Sequence, residues 1–235
     1  MNIILFEKGT VHFDSDDERA IHLEKVLHAT VSSSFVAGEI NGRRGSAVIT
    51  SMEDGIDFEF LPECDDSSLH PLTVILGQAR PICMRRILRE LVSLGVERMI
   101  LTISDLGEKS YRSAGLYTSG EYRNILLDGA MQSGRTGVSE VVFASCIEEA
   151  ISNLDADPVR LLLDNVVGSK RFGSMDLKGR SVVLAIGPER GWSQRERDVF
   201  AKAGFSPVLM GKRILRTETA AVAGTALALE CMDLI

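Results

Sequence analysis

Two spacing regimes divide the chain. Over the first seventy residues, short apolar runs are separated by turn signals. Ile3–Phe6 is a strand candidate, and Arg19–His28 reads as a helix burying Ile21, Val26 and Leu27. Asn41-Gly42 marks a hairpin turn before a strand at Ala47–Thr50, and Asp54-Gly55 turns the chain into another at Ile56–Phe60. The polar stretch Leu61–Leu69, with Pro62, Asp65, Asp66, Ser67 and Ser68, reads as a linker. From residue 72 the pattern changes. Nearly continuous apolar runs predict strands at Leu72–Leu76, Arg98–Ile103, Glu140–Ala144, Val159–Leu163, Ser181–Ile186 and Pro207–Met210. Between them, a helix over 82–94 places Met84, Ile87, Leu88, Leu91 and Val92 on one side, and Gly95 closes it. Further helices are predicted at Glu121–Met131, near 146–153, from Ser193 to Gly204, and from about Glu218 to Cys231. Ser145 with Glu148, and Ser193 with Glu196, have the spacing of capping boxes.

This alternation predicts an α/β domain with a largely parallel sheet over 71–235, behind a small β-rich domain over 1–70. Ligands in such folds bind at the carboxyl ends of the strands, which points to the loops 164–170, 187–192 and 211–217.

Composition narrows the function. The net charge of −7 argues against a general DNA-coating protein, but it leaves room for a local basic patch that grips RNA. No apolar stretch is long enough to span a membrane, and the start, MNIILFEKGT, lacks the pattern of a secretory signal, so a cytoplasmic location is expected. Cys64, Cys83, Cys146 and Cys231 are widely separated, without ligand spacing to histidine; buried free thiols and no metal are expected. The four histidines, His12, His22, His28 and His70, all precede the motif-rich part of the chain.

Three loops carry candidate chemistry. Asp164-Asn165 follows a strand and suits a turn or helix cap as well as a ligand contact. In Ala185-Ile-Gly-Pro-Glu-Arg-Gly-Trp192, Gly187 and Gly191 let backbone pass close to a ligand, and Pro188 stiffens the turn between them. It is neither a Walker loop nor a GxGxxG fingerprint, which leaves an ATP or nicotinamide enzyme without its motif. In Leu209-Met-Gly-Lys-Arg-Ile-Leu-Arg-Thr-Glu-Thr219, a strand ends at Gly211 and the chain enters the helix AAVAGTALALE. Its small residues permit close backbone approach, and Gly224 suggests that something tightly wound packs there.

The runs GPERGWS and MGKRILRTETA resemble the RsmE family, which methylates N3 of a uridine in small-subunit ribosomal RNA. His22-Leu-Glu-Lys-Val-Leu27, Leu94-Gly-Val96 and Gln132-Ser-Gly-Arg135 resemble further family segments, so the likeness spans nearly the whole chain in order. Arg190 and Trp192 stand where a glycine and an aromatic or leucine are usual, and His28, Glu90 and Met131 also depart, which marks a divergent GPERGW branch.

The resemblance implies a SPOUT methyltransferase domain with a deep trefoil knot behind a PUA-like β-barrel that grips RNA. It implies a homodimer acting on small-subunit ribosomal RNA or the 30S particle, with S-adenosyl-L-methionine as cofactor and no metal. Carried over, the cofactor loops are Leu163, Asp164 and Asn165; then Ile186, Gly187, Pro188, Glu189 and Gly191; then Met210, Gly211, Ile214, Leu215, Arg216 and Thr217. Uracil N3 is a poor nucleophile until its proton leaves. A cation near O2 or O4 would stabilise the developing anion, and Arg216 is the first candidate. Glu189 or Glu218 would accept the proton, or instead cap a helix or pair with Arg216.

An RNA surface is expected where cations cluster: Arg80, Arg85, Arg86 and Arg89 at and inside the first helix of the second domain, Lys109 and Arg112 around Tyr111, and Lys170, Arg171, Lys178 and Arg180 flanking a glycine-containing loop. Arg135 joins them through the family segment that it resembles. Tyr111 and Phe172 are stacking candidates, although an isolated aromatic is more often ordinary packing. Two other readings stay open: a methyltransferase of the same fold acting on another RNA position or base, and a catalytically silent ribosomal RNA-binding or assembly protein.

Overall fold

The computed structural model describes residues 2–155 and 157–235, which form two compact units. The first unit runs to Ser68 and includes Leu127–Val138; the second comprises Leu69–Leu126 and Ser139–Ile235.

The first unit contains β1 (Ile4–Phe6), β2 (His12–Phe13), α1 (Glu18–Ile21), β3 (Ser34–Glu39), β4 (Arg43–Ser51) and β5 (Ile56–Asp65). They make a half-barrel sheet in the order β1-β3-β4-β5-β2, with β1 parallel to β3 and the other pairs antiparallel. Alternation along the strands turns Phe6, Phe13, Phe35 and Phe58 inward, and their rings meet at centroid distances such as 4.7 Å for Phe13–Phe58.

Two sequence expectations are corrected here. The Arg19–His28 helix is α1 followed by a π turn at His22–Val26, with Leu27 N donating to His22 O. The widened turn rotates the apolar stripe, so Ala20 and Leu23 are buried while Val26 and Leu27 are 61% and 52% exposed, and Ile21 is only half-buried. The proposed linker also begins too early. Leu61–Asp65 continues β5 and pairs with Arg43–Ser46 across a bulge at Arg44/Gly45. A Cβ on Gly45 would sit 2.1 Å from Leu61 O, and the bulge accommodates Pro62 on an edge.

Leu127–Val138 lies far along the chain but bonds to the first unit. Asn2 N donates to Met131 O, Thr136 Oγ1 to Gly42 O, and Val138 N to Asn41 Oδ1. A single cut at 70/71 would have left this segment with the second unit.

The second unit contains β6 (His70–Gly77), α2 (Pro81–Ser93), β7 (Val96–Thr102), α3 (Gly115–Thr118), the start of α4 (Glu121–Ser133), β8 (Glu140–Ala144) and α5 (Ile147–Ser152). It continues with β9 (Val159–Leu163), β10 (Lys170–Arg171), β11 (Val182–Ile186), α6 (Gln194–Lys202), β12 (Ser206–Leu209) and α7 (Thr217–Cys231). The seven strands are all parallel, in the order β10-β12-β9-β11-β6-β7-β8. Both faces are covered around the centre, which is why every residue of β11 is buried and the run reads as unbroken apolar sequence. Trp192, Phe200 and Phe205 stack edge to face beneath Ile75, Ile100 and Ala185.

The first capping box is shifted. Cys146, not Ser145, precedes α5 and makes no side-chain cap, while the amide and hydroxyl of Ser145 both donate to Glu149 instead of Glu148. The second box forms as spaced. Ser193 Oγ accepts from Glu196 N at 3.1 Å, and Glu196 Oε2 accepts from Ser193 N at 2.7 Å. Glu196 is fully buried, and its Oε1 also accepts from Asp105 N at 2.9 Å, which ties the loop after β7 to α6. Glu196→Ala should therefore lower the unfolding free energy by about 2–3 kcal/mol, because two backbone donors lose a charged acceptor. Urea denaturation checks this, with Glu196→Gln between the two; an unchanged midpoint for the alanine variant would refute it.

Gly224 on α7 faces Leu163 and Leu184, where a Cβ would meet both at 3.4 Å. The helix packs closely over β9 and β11, yet the space itself accommodates alanine. Among the described residues no helix is long and apolar enough to cross a membrane.

Candidate active site

The loops after β9, β11 and β12 leave the carboxyl ends of adjacent strands, because β11 and β12 both pair with β9. They meet around one cavity of about 760 Å³. It is lined by Leu163, Asp164 and Asn165 from the first loop, and by Ile186, Gly187, Pro188, Glu189 and Gly191 from the second. Met210, Gly211, Ile214, Leu215, Arg216 and Thr217 come from the third, with Glu218 beside them on α7.

Local packing explains the shape. Gly77 ends β6 directly against Pro188, and a Cβ there would fall 2.4 Å from the proline Cδ. At Gly187 a Cβ would stand 3.1 Å from Gly191 Cα, so the second loop folds back on itself, and Gly191 reaches φ +67° to close that turn. In the first loop, Asp164 Oδ1 accepts from Val166 N at 2.7 Å and from Val167 N at 3.2 Å, while Oδ2 accepts from Arg197 Nε at 2.8 Å. Asp164 is thus a buried turn former, the structural role left open by the sequence. Glu189 Oε1 accepts from Arg80 N at 2.9 Å, the residue before α2, so its carboxylate is engaged at a helix start.

Glu218 lies beside the Cys83 thiol. Burial raises the pKa of that thiol, and the carboxylates of Glu218 and Glu189 raise it further, which keeps it protonated at neutral pH. Arg216 precedes α7 without a side-chain capping bond and is exposed at the cavity. Cys83, Arg197 and Arg213 line the cavity too without having been candidates for it, and Arg80, expected on the RNA surface, lines it as well. Arg213 stands within the third loop, whereas Arg80, Cys83 and Arg197 come from other segments, and no local pattern encodes their approach.

The candidate RNA residues differ in how far they are already engaged. Arg85 is held by Glu121 through two bonds of 2.6 and 2.8 Å, and Arg135 in the first unit pairs with the buried Asp66. Arg86, Lys109, Arg112, Lys170 and Arg171 are exposed, and Arg89 is half-buried. Phe172 is fully buried, so it packs and does not stack on RNA. The four cysteines are free as expected, although Cys64 is exposed and the others are only partly buried. Among the described residues no cluster of metal-ligating side chains occurs.

The RNA methyltransferase domain model matches residues 66–229. The chain is 39% identical to a ribosomal RNA small subunit methyltransferase E of Treponema pallidum, across 97% of this chain and 91% of that protein. It superposes with a TM-score of 0.79 on the S-adenosyl methionine-bound ribosomal RNA small subunit methyltransferase E of Neisseria gonorrhoeae, at 25% identity over 99% and 98% of the two chains. A probable rRNA-methyltransferase of Porphyromonas gingivalis, at 20% identity, shares the fold with a TM-score of 0.84 over 99% of each chain. With the half-barrel sheet, the all-parallel sheet and the cavity at its carboxyl edge, these likenesses show that the chain belongs to the RsmE family of small-subunit ribosomal RNA methyltransferases, in the SPOUT class.

Proposed function

We propose that this protein methylates N3 of a uridine in small-subunit ribosomal RNA, using S-adenosyl-L-methionine. The observation that carries the reading is the convergence of three glycine-bearing loops from adjacent parallel strands on one cavity. The cavity suits the cofactor. Its walls are apolar at Leu163, Ile186 and Met210, its glycines bring main-chain groups to the surface, and the buried indole Nε1 of Trp192, one of its lining residues, has no partner among the described residues. When bound, the cofactor supplies a methyl group already activated by its sulfonium.

The chain's own residues do the rest. Asp164 and Arg197 hold the first loop in shape. Arg216 reaches the cavity as a cation that stabilises negative charge on a uracil oxygen as N3 loses its proton. Glu218 is better placed than Glu189 to take that proton, because Glu189 accepts from the Arg80 amide whereas Glu218 meets the weaker donor of the Cys83 thiol. The exposed Val166 and Ile214, at 68% and 84%, line the same cavity, which supports a homodimer that covers this edge. The half-barrel unit serves as a second RNA grip, and a cytoplasmic location goes with a ribosomal substrate.

The test is methyl transfer from labelled S-adenosyl-L-methionine to small subunits that lack the modification, followed by nucleoside analysis. The expected result is N3-methyluridine at one site. Cofactor binding with a different methylated nucleoside moves the target to another RNA position, and no cofactor binding leaves a silent RNA-binding protein.

A further inference from the structure

A second cavity, of about 340 Å³, opens at the same edge of the parallel sheet. Gln78 beyond β6, Ala144 and Ser145 at the end of β8, and Tyr117 of α3 line it, together with Arg112 and Phe143. Its size lies at the lower end of the range for small-ligand sites, about 300–1,000 Å³.

The lining is unusual for ordinary packing. The ring of Phe143 meets Tyr117 at 5.6 Å and Tyr122 at 5.5 Å, both edge to face, yet Phe143 remains 42% exposed at the cavity. The Tyr117 hydroxyl is buried and has no hydrogen-bond partner among the described residues. Such a group loses its bonds to water without replacement, which native structures rarely leave uncompensated. Burial also pushes the Tyr117 phenol up, so the hydroxyl stays protonated and can donate. The Gln78 side chain adds an amide donor and acceptor, and Arg112 is exposed on the rim.

The placement matters as much as the chemistry. Arg80 lines the first cavity and Gln78 the second, so one short stretch of backbone, roughly 7 Å from Cα to Cα at full extension, separates them. That span is comparable to one nucleotide step of a single strand.

We infer that this second cavity receives an unstacked RNA base next to the methylated nucleotide: Phe143 offers a stacking face, Tyr117 and Gln78 read the base edge, and Arg112 meets the phosphate. The inference rests on the proposed methylation of RNA, and it adds a specificity subsite to it.

The test uses the full-length protein with small-subunit particles, and an RNA fragment of the target region carrying 4-thiouridine at single positions. Tyr117→Phe removes only the hydroxyl, and Phe143→Leu removes the stacking face. Both should raise KM for the particle three- to tenfold, with kcat, cofactor affinity and melting temperature unchanged. Photocrosslinks from a nucleotide adjacent to the target should map to the peptides that carry Tyr117 or Phe143. Unchanged KM in both variants, with crosslinks confined to other peptides, overturns the inference. If the wild type transfers no methyl group, the proposed reaction fails. Crosslinking of the RNA fragment still decides the subsite, because it needs no turnover.

Discussion

Arg216→Ala should lower kcat for methyl transfer by about two to three orders of magnitude, the usual loss when one donor to a developing anion is removed. The fold should tolerate the change. Arg216 precedes α7 with an extended backbone, its side chain makes no capping bond, and the bond to α7 is made by its carbonyl, which accepts from Ala220 N at 2.8 Å. Its environment differs from that of Arg197, which lines the same cavity but is held by Asp164. Cofactor affinity by calorimetry should change little, since the proposed role puts the guanidinium on the uracil oxygen and not on the methyl donor. Single-turnover rates at saturating RNA provide the measurement, and Arg216→Lys should retain part of the rate as a point charge without the planar fork. A rise in KM with kcat intact would show that Arg216 binds RNA phosphate and has no share in the chemical step.

The second large effect is on stability. Asp164→Ala should destabilise the protein by about 3–5 kcal/mol, the range for breaking one side of a buried ion pair. The Asp164 side chain is 2% exposed and that of Arg197 is 14% exposed. Removing the carboxylate strands a mostly buried guanidinium and frees the amides of Val166 and Val167 at once. The same change loosens the turn closed by Gly168 N on Asp164 O, at 3.1 Å. There the chain has no slack: a Cβ on Gly168 would stand 2.3 Å from Asp164 O and 2.8 Å from Val208 O. Cofactor affinity should fall with stability, since this loop forms one wall of the cavity. Denaturant unfolding and calorimetry measure both. The double variant Asp164→Leu with Arg197→Met should recover part of the loss, because no charge is then left buried alone. An alanine variant as stable as the wild type would remove Asp164 from the architecture of the site.

Much of this site was legible before any coordinates. The glycines at 187 and 191 and the strand-to-loop transitions at Leu163, Ile186 and Met210 pointed to the loops that line the cavity, because a ligand approached by main chain demands residues without a Cβ and strands that end together. The aromatic cavity was not legible. Tyr117 and Phe143 lie in different elements, and each alone reads as packing; Tyr111 and Phe172 have cations beside them in sequence, yet Phe172 is buried. The π turn after Ile21 was hidden for a related reason. One extra residue per turn is a backbone event with no composition of its own.

By itself, then, the sequence determined the alternation of buried strands and amphipathic helices, since burial on both faces requires unbroken apolar runs. It also determined the three loops, since close main-chain approach requires glycine. The tertiary structure alone decided which charges in those loops remain available. Asp164 is taken by Arg197 and Glu189 by the Arg80 amide, partners 33 and 109 residues away. Arg85 goes to Glu121 and Arg135 to Asp66, again between distant segments. A charged side chain looks equally free wherever it stands in a sequence. Its partner is set by strand order and register, which bring distant loops to one edge of the sheet and leave Arg216 without such a partner among the described residues.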